Sequence, residues 1–147
     1  MNGVPFVRVR NRQRRRRVDV RDLETFAQRA VSVVLAGKRR DADALRTLAQ
    51  IDVLLVSDKR IAELHQRFMK IAGPTDVITF QHGEIFVSVE TAEAQAQRFG
   101  TTADAEIRLY IAHGLLHLAG FDDTTAAAAR EMSHAQEQVV AAAIATM

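Results

Sequence analysis

His113 and His117 sit four residues apart in an apolar run of good helix formers, His113-Gly114-Leu115-Leu116-His117-Leu118. On a helix, side chains at i and i+4 share a face, so this spacing aims two imidazoles at one point. Gly120 then permits the left-handed backbone that ends a helix and turns the chain. Two carboxylates, Asp122 and Asp123, follow that turn, and either can close back on the histidines. Two neutral imidazoles with one carboxylate form a ligand set for zinc or another divalent ion that keeps an open position. A lone histidine on an apolar helix is ordinarily a core residue with one hydrogen bond, but two side by side need something to bridge them. The glutamate of a His-Glu-x-x-His metalloprotease helix is missing, because Gly114 stands in its place. A zincin-type peptidase would thereby lose its general base, which argues against peptide hydrolysis.

Other elements must position this pair. Thr102 can cap the long apolar helix that carries both histidines, and Thr124 or Thr125 opens a last, alanine-rich helix towards Met147. Upstream, Val4 to Val9 reads as a short strand, with Pro5 near its start where the missing N–H does least harm. Asp19 caps a helix from Val20 to Ala36, with Gly37 past its end and Leu23, Phe26, Ala27, Ala30 and Val34 as its apolar stripe. Lys38 to Asp43 is a polar linker, and Leu48 to Val56 is a strand. Ser57 or Asp58 caps a second helix whose apolar residues are Ile61, Leu64 and Phe68. Thr75 to Phe80 is β-branched and aromatic, and Gln81-His82-Gly83 is short enough to join it as a hairpin to Glu84–Val89. A helix from about Thr91 to Phe99 ends at Gly100. The order predicts a single α+β domain over residues 1–147: a small mixed, mostly antiparallel four-stranded sheet covered by about five helices.

With 147 residues, 48% of them apolar, the chain can bury a core. No run approaches the roughly 18 consecutive apolar residues of a membrane span, and the arginine-rich start lacks the apolar stretch of a secretory signal. The absence of cysteine excludes disulfides and thiolate metal sites and leaves His, Asp and Glu as the strong ligands. Charge is unevenly spread. Seven arginines and no acid lie in residues 1–17, which leaves 13 basic against 18 acidic side chains in the remainder. This basic N-terminal strand and arm on a mildly acidic body suits an anionic partner such as RNA, although a solvated terminus has the same composition.

The histidine segment also resembles the signature of the YbeY family of bacterial endoribonucleases and rRNA maturation factors, essentially His-Gly-x-Leu-His-Leu-x-Gly-Tyr-Asp-His. The chain matches it at His113, Gly114, Leu116, His117, Leu118, Gly120 and Asp122, with Phe121 in place of tyrosine. A second family motif, Thr-Asp-Val-Leu-Ser-Phe, is similar to Thr75-Asp76-Val77-Ile78-Thr79-Phe80, and the family's Gly-Asp-Ile strand to Gly83-Glu84-Ile85. Glu106–Tyr110 resembles the family's Glu-x3-Leu, with Tyr110 where leucine is expected. The likeness spans roughly residues 50–140; the N-terminal third shares only the strand-then-helix order.

The resemblance implies a zincin-like metal-binding helix and a metal-dependent, single-strand-specific endoribonuclease acting in rRNA maturation and ribosome quality control. It implies one divalent ion, zinc, and a cytoplasmic partner in rRNA or the small ribosomal subunit. By this likeness His113, His117 and Asp123 hold the metal, Asp123 standing where the family has its third histidine. Asp122 matches a position that is not a ligand and reads as an anchor of the turn or an acceptor for a ligand histidine. Asp76 reads as a local turn carboxylate that the resemblance brings into support of the site. Where the family has Asn-x-x-Tyr-Arg, this chain has His65-Gln66-Arg67-Phe68-Met69, so Met69 stands in for an RNA-contacting arginine. The expected RNA-binding residues are Arg14, Arg15, Arg16, Arg17, Arg67 and Lys70. The Met69 and Asp123 departures also allow a second reading, a non-catalytic ribosome assembly factor with a degenerate metal site. Thr79 reads as packing, His65, His82 and His134 as surface histidines, and Met132 as core.

Overall fold

The computed structural model describes residues 3–37 and 43–147. The linker read at Lys38 to Asp43 therefore lies, up to residue 42, outside the described residues. Four strands are present: β1 (Phe6–Asn11), β2 (Gln50–Val56), β3 (Val77–Phe80) and β4 (Glu84–Ser88). Five α-helices accompany them: α1 (Val20–Ala36), α2 (Asp58–Met69), α3 (Val89–Phe99), α4 (Ala103–Leu118) and α5 (Ala126–Ala145). A short 3-10 turn at Leu45–Thr47 leads into β2.

The expectation of a mostly antiparallel sheet is corrected. Strand order is β1-β2-β4-β3; β1–β2 and β2–β4 are parallel, and β3–β4 alone is antiparallel. The reason lies in the connections. Helix α1 carries the chain from β1 back to the start of a parallel β2. After β2, α2 and the loop behind it lead into β3 running the opposite way, and the tight turn at residues 81–83 reverses the chain again, so β4 enters beside β2 in parallel. Parallel strands buried on both faces need apolar residues at successive positions. Ile-Asp-Val-Leu-Leu-Val of β2 supplies them: Ile51, Val53 and Leu55 face one side, and Val56 the other.

Two apolar clusters result. Val7, Ile51, Val53, Ile85 and Val87 pack with α1, α4 and α5 residues such as Phe26, Ile111, Leu115 and Met132. Across the sheet, Ile61 and Leu64 of α2 pack with Val56, Ile78 and Phe86. Phe68 departs from its expected place on this inner face. It is 55% exposed and meets Phe80 edge-on, with ring centroids 5.2 Å apart.

Helix starts follow the capping residues. Asp19, Ser57, Thr102 and Thr125 each accept a hydrogen bond from the backbone N–H three residues on. The helix expected from about Thr91 begins at Val89, because Ser88, the last residue of β4, is itself the cap. The first strand begins at Phe6 rather than Val4, in register with β2 from Gln50 onward. No helix among the described residues is long and apolar enough to cross a membrane.

Candidate metal centre

Helix α4 lies across β3 and β4, and its depth is set by Gly114. A Cβ at that position would lie 2.7 Å from Ile85 Cγ2 and 2.9 Å from Ile85 Cδ1, closer than carbon atoms tolerate. The absent side chain thus lets the helix sit on the sheet, with His113 directly before the contact and His117 one turn later. The two imidazoles pack edge to face with centroids 4.6 Å apart.

After α4 the backbone reverses through Gly120 at φ +98°, while the N–H groups of Gly120 and Phe121 bond the carbonyls of His117 and Leu116. This turn returns Asp123 to the histidines. His113 Nε2 lies 3.5 Å from Asp123 Oδ2, and His117 Nε2 lies 3.9 Å from Asp123 Oδ1. Neither distance is that of a hydrogen bond. Two ligands of a tetrahedral zinc at about 2.0–2.1 Å would stand about 3.3 Å apart. One ligand atom from each of the three residues lies within 4.8 Å of the others.

The outward nitrogens are already committed. His117 Nδ1–H donates to the Phe121 carbonyl at 3.0 Å, and His113 Nδ1–H to Gln136 Oε1 at 2.9 Å. A carbonyl can only accept, so the proton sits on Nδ1 and the Nε2 lone pair of His117 faces Asp123. Such partners fix ring orientation in metal sites. Burial, and after it the neighbouring His113, lower the pKa of His117; Asp123, the Phe121 carbonyl and Asp122 oppose the shift. The donor set fits a divalent ion: two imidazoles whose Nε2 atoms face one carboxylate.

A cleft of about 270 Å³ opens at these three residues, walled also by Met69, Val77, Ile78, Thr79 and Gln81. Thr79, expected only to pack, presents a buried hydroxyl with no hydrogen-bond partner among the described residues. Its place is legible only in space: Thr79 pairs with Ile85, on the sheet face that α4 covers. Met69 brings an uncharged thioether to the wall where the family resemblance expects arginine. Neither Arg67 nor Lys70 is among the residues that wall the cleft. Arg67 holds its guanidinium 5.3 Å from the Phe68 ring centroid, and Lys70 Nζ donates to the Arg67 carbonyl.

The remaining expected residues are more scattered. Asp122 anchors the turn, accepting from the backbone N–H and hydroxyl of Thr124. Asp76 accepts from the Val77 N–H at 2.8 Å, as a turn carboxylate does, and lines a second cavity beyond His113. Arg15 and Arg16 pair with Glu93 of α3, and Arg15 also with Glu90, while Arg14 and Arg17 are exposed. Strand β1, from which this arm emerges, is the edge of the sheet opposite β3, so the arm is not part of the cleft. His65, His82 and His134 lie outside it; His65 bonds the Gly73 carbonyl and His82 the Glu84 carboxylate. Gln136, unmarked by any motif, is the residue that orients His113.

Comparison with known proteins identifies the family and the fold. Residues 8–143 match the family model described as Endoribonuclease YbeY. Relatives include Endoribonuclease YbeY of Thermobifida fusca (strain YX), 36% identical over 118 residues, covering 67% of this chain and 76% of that protein. Another is Endoribonuclease YbeY of Kineococcus radiotolerans, 32% identical over 145 residues and 84% of each chain. Among solved structures, the fold is similar to the solution structure of TM1509 from Thermotoga maritima, with a TM-score of 0.63, 28% identity, and coverage of 93% of this chain and 88% of that one. The chain belongs to the endoribonuclease YbeY family.

Proposed function

We propose that this chain is a metal-dependent endoribonuclease of single-stranded RNA, acting in the cytoplasm on rRNA during small-subunit maturation and ribosome quality control. One divalent ion, zinc, is held by His113, His117 and Asp123. The observation that carries the reading is the convergence of three ligand atoms within 4.8 Å in a chain of this family. When bound, the ion supplies a Lewis acid that lowers the pKa of a water and polarises a phosphodiester oxygen. The protein's own groups set the stage. Gln136 and the Phe121 carbonyl hold the imidazoles in one tautomer, and the turn at Gly120 presents Asp123. The Thr79 hydroxyl is a donor for a phosphate oxygen entering the cleft. Because Met69 adds no charge, the RNA backbone is met by Arg67, Lys70 and the Arg14–Arg17 arm.

The test is cleavage of end-labelled single-stranded and duplex RNA by zinc-loaded and chelator-treated protein. Cuts confined to single strands, lost on chelation and absent in His117→Ala, support the proposal. RNA or ribosome binding that survives His117→Ala, with no cleavage at any metal concentration, would replace it with the assembly-factor reading.

A further inference from the structure

His113 also borders a second cavity, of about 340 Å³, whose lining does not include Asp123. Its lining includes Asp76, Gln95, Arg98, Phe99, Glu106 and Tyr110. Glu106, Tyr110, His113 and His117 recur at intervals of four, three and four along α4, so they form one stripe that joins this cavity to the metal cleft.

The cavity carries unspent hydrogen-bonding capacity. Tyr110 is 6% exposed, yet its hydroxyl has no partner among the described residues, and the buried Gln95 Oε1 has none either. An orphaned buried polar group costs on the order of 1–3 kcal/mol, so each calls for an explanation. Glu106 is 8% exposed and accepts a hydrogen bond from the Thr101 hydroxyl. Asp76 contributes a second carboxylate. Burial, then Asp76, then Glu106 push the Tyr110 phenol far above its usual pKa, so it stays protonated. At the mouth, Phe99 is 64% exposed, with the Arg98 guanidinium 5.3 Å from its ring centroid, a flat surface of the kind on which unpaired bases stack. Its carboxylates and the unpartnered Gln95 oxygen are acceptors, the Tyr110 hydroxyl is an unpartnered donor, and the Arg98 guanidinium adds donors beside Phe99.

We propose that this cavity is a nucleobase subsite for the nucleotide next to the scissile bond, and that it selects guanine. Guanine presents N1–H and the N2 amino group side by side, two donors for the carboxylates and the Gln95 oxygen, while its O6 accepts from the Tyr110 hydroxyl. Uracil offers a single N–H between two carbonyl oxygens, which would face the carboxylates unpaired. Tyr110 is thus a specificity-determining residue. It stands where the family resemblance expects leucine, so the subsite is a property of this chain rather than of the fold. The inference rests on the nuclease reading for its place in the reaction, but not for binding.

Two measurements separate those layers. The first is sequencing of the cut ends that zinc-loaded protein generates from a randomised single-stranded RNA. Guanine should be enriched about tenfold over uracil at one position beside the cut, from the discrimination of a well-placed paired contact. Tyr110→Phe should collapse that ratio. The second is equilibrium binding of guanosine and uridine monophosphates to wild type, Tyr110→Phe and Gln95→Leu, with guanosine favoured about tenfold in wild type alone. Tyr110→Phe should also unfold at a higher temperature, since it deletes an unpartnered buried hydroxyl; a tyrosine with a merely structural bond would unfold earlier. Cleavage without base preference, or a preference unchanged in Tyr110→Phe, overturns the subsite and leaves the nuclease reading intact. Absence of cleavage with guanosine-selective binding keeps the subsite and removes the nuclease reading. Equal binding of the two nucleotides overturns the subsite whatever the cleavage result.

Discussion

Gly114 and Ile85 meet with no space for even one carbon between them: a Cβ on residue 114 would lie 2.7 Å from Ile85 Cγ2. The position that carries the general base in a zincin peptidase is here the contact between helix and sheet. Its neighbours in the helix owe their location to that contact, so the geometry of the histidine pair depends on a residue with no chemistry of its own.

Gly114→Ala should therefore destabilise the protein by about 1–3 kcal/mol through overpacking, despite the better helix propensity of alanine. Denaturant unfolding reads the first effect. Zinc stoichiometry reads the second, because a helix lifted off β4 moves both imidazoles. Unchanged stability would mean that Ile85 yields freely.

Loosening His113 without removing it is the role tested by Gln136→Leu. Its ring loses the acceptor at 2.9 Å that fixes the Nδ1 tautomer. Losses of 10–100-fold in metal affinity are typical for such partners, and a competition titration against a chelating dye would show it. Wild-type affinity in this variant would mean that packing alone orients the ring.

Acid should weaken the metal-free fold through His117. Its folded pKa is lowered, chiefly by burial, below the ordinary value of about 6.5 that the unfolded chain retains. Between the two values the unfolded state binds more protons, so the contribution is complete above about pH 6.5 and is lost as pH falls through the folded value. Urea midpoints of chelated protein at pH 7.5 and 5.5 should fall with pH, and less so in His117→Gln. Parallel curves for the two proteins would contradict this assignment.

The basic arm should contribute unevenly. Arg15 and Arg16 are engaged with α3 carboxylates, whereas Arg14 and Arg17, exposed like Arg15, take no part in those pairs. Replacing Arg14 and Arg17 together with alanine should lower the salt slope of RNA binding by about 1–2, if each neutralises one phosphate. Replacing Arg15 and Arg16 should change it less. RNA affinity independent of salt in the wild type would remove the arm from the interface.

What the sequence made legible was local. Helix α1 runs over the expected Val20 to Ala36, because Asp19 and Gly37 mark its ends through their own backbone bonds. The choice of Asp123 over Asp122 comes from the family resemblance, but the histidine pair and a returning carboxylate were likewise readable from a single helix and its turn. Strand direction was not, since it depends on which strands pair across the sheet; Phe6 opposite Gln50 is a choice made over 44 residues. Phe68 looked apolar enough for the core, yet its helix turns it outward against Phe80. The second cavity is assembled from β3's approach, α3, α4 and α5, so Asp76, Gln95, Tyr110 and Gln136 share no spacing that a motif could record.

The most direct test of the account is the metal content of untagged protein, measured by elemental mass spectrometry alongside Asp123→Ala. The His113–His117–Asp123 centre predicts about one zinc per chain in the wild type and a large loss in the variant. A wild type that stays empty after zinc is supplied, or an Asp123→Ala protein that holds a full equivalent, would contradict it.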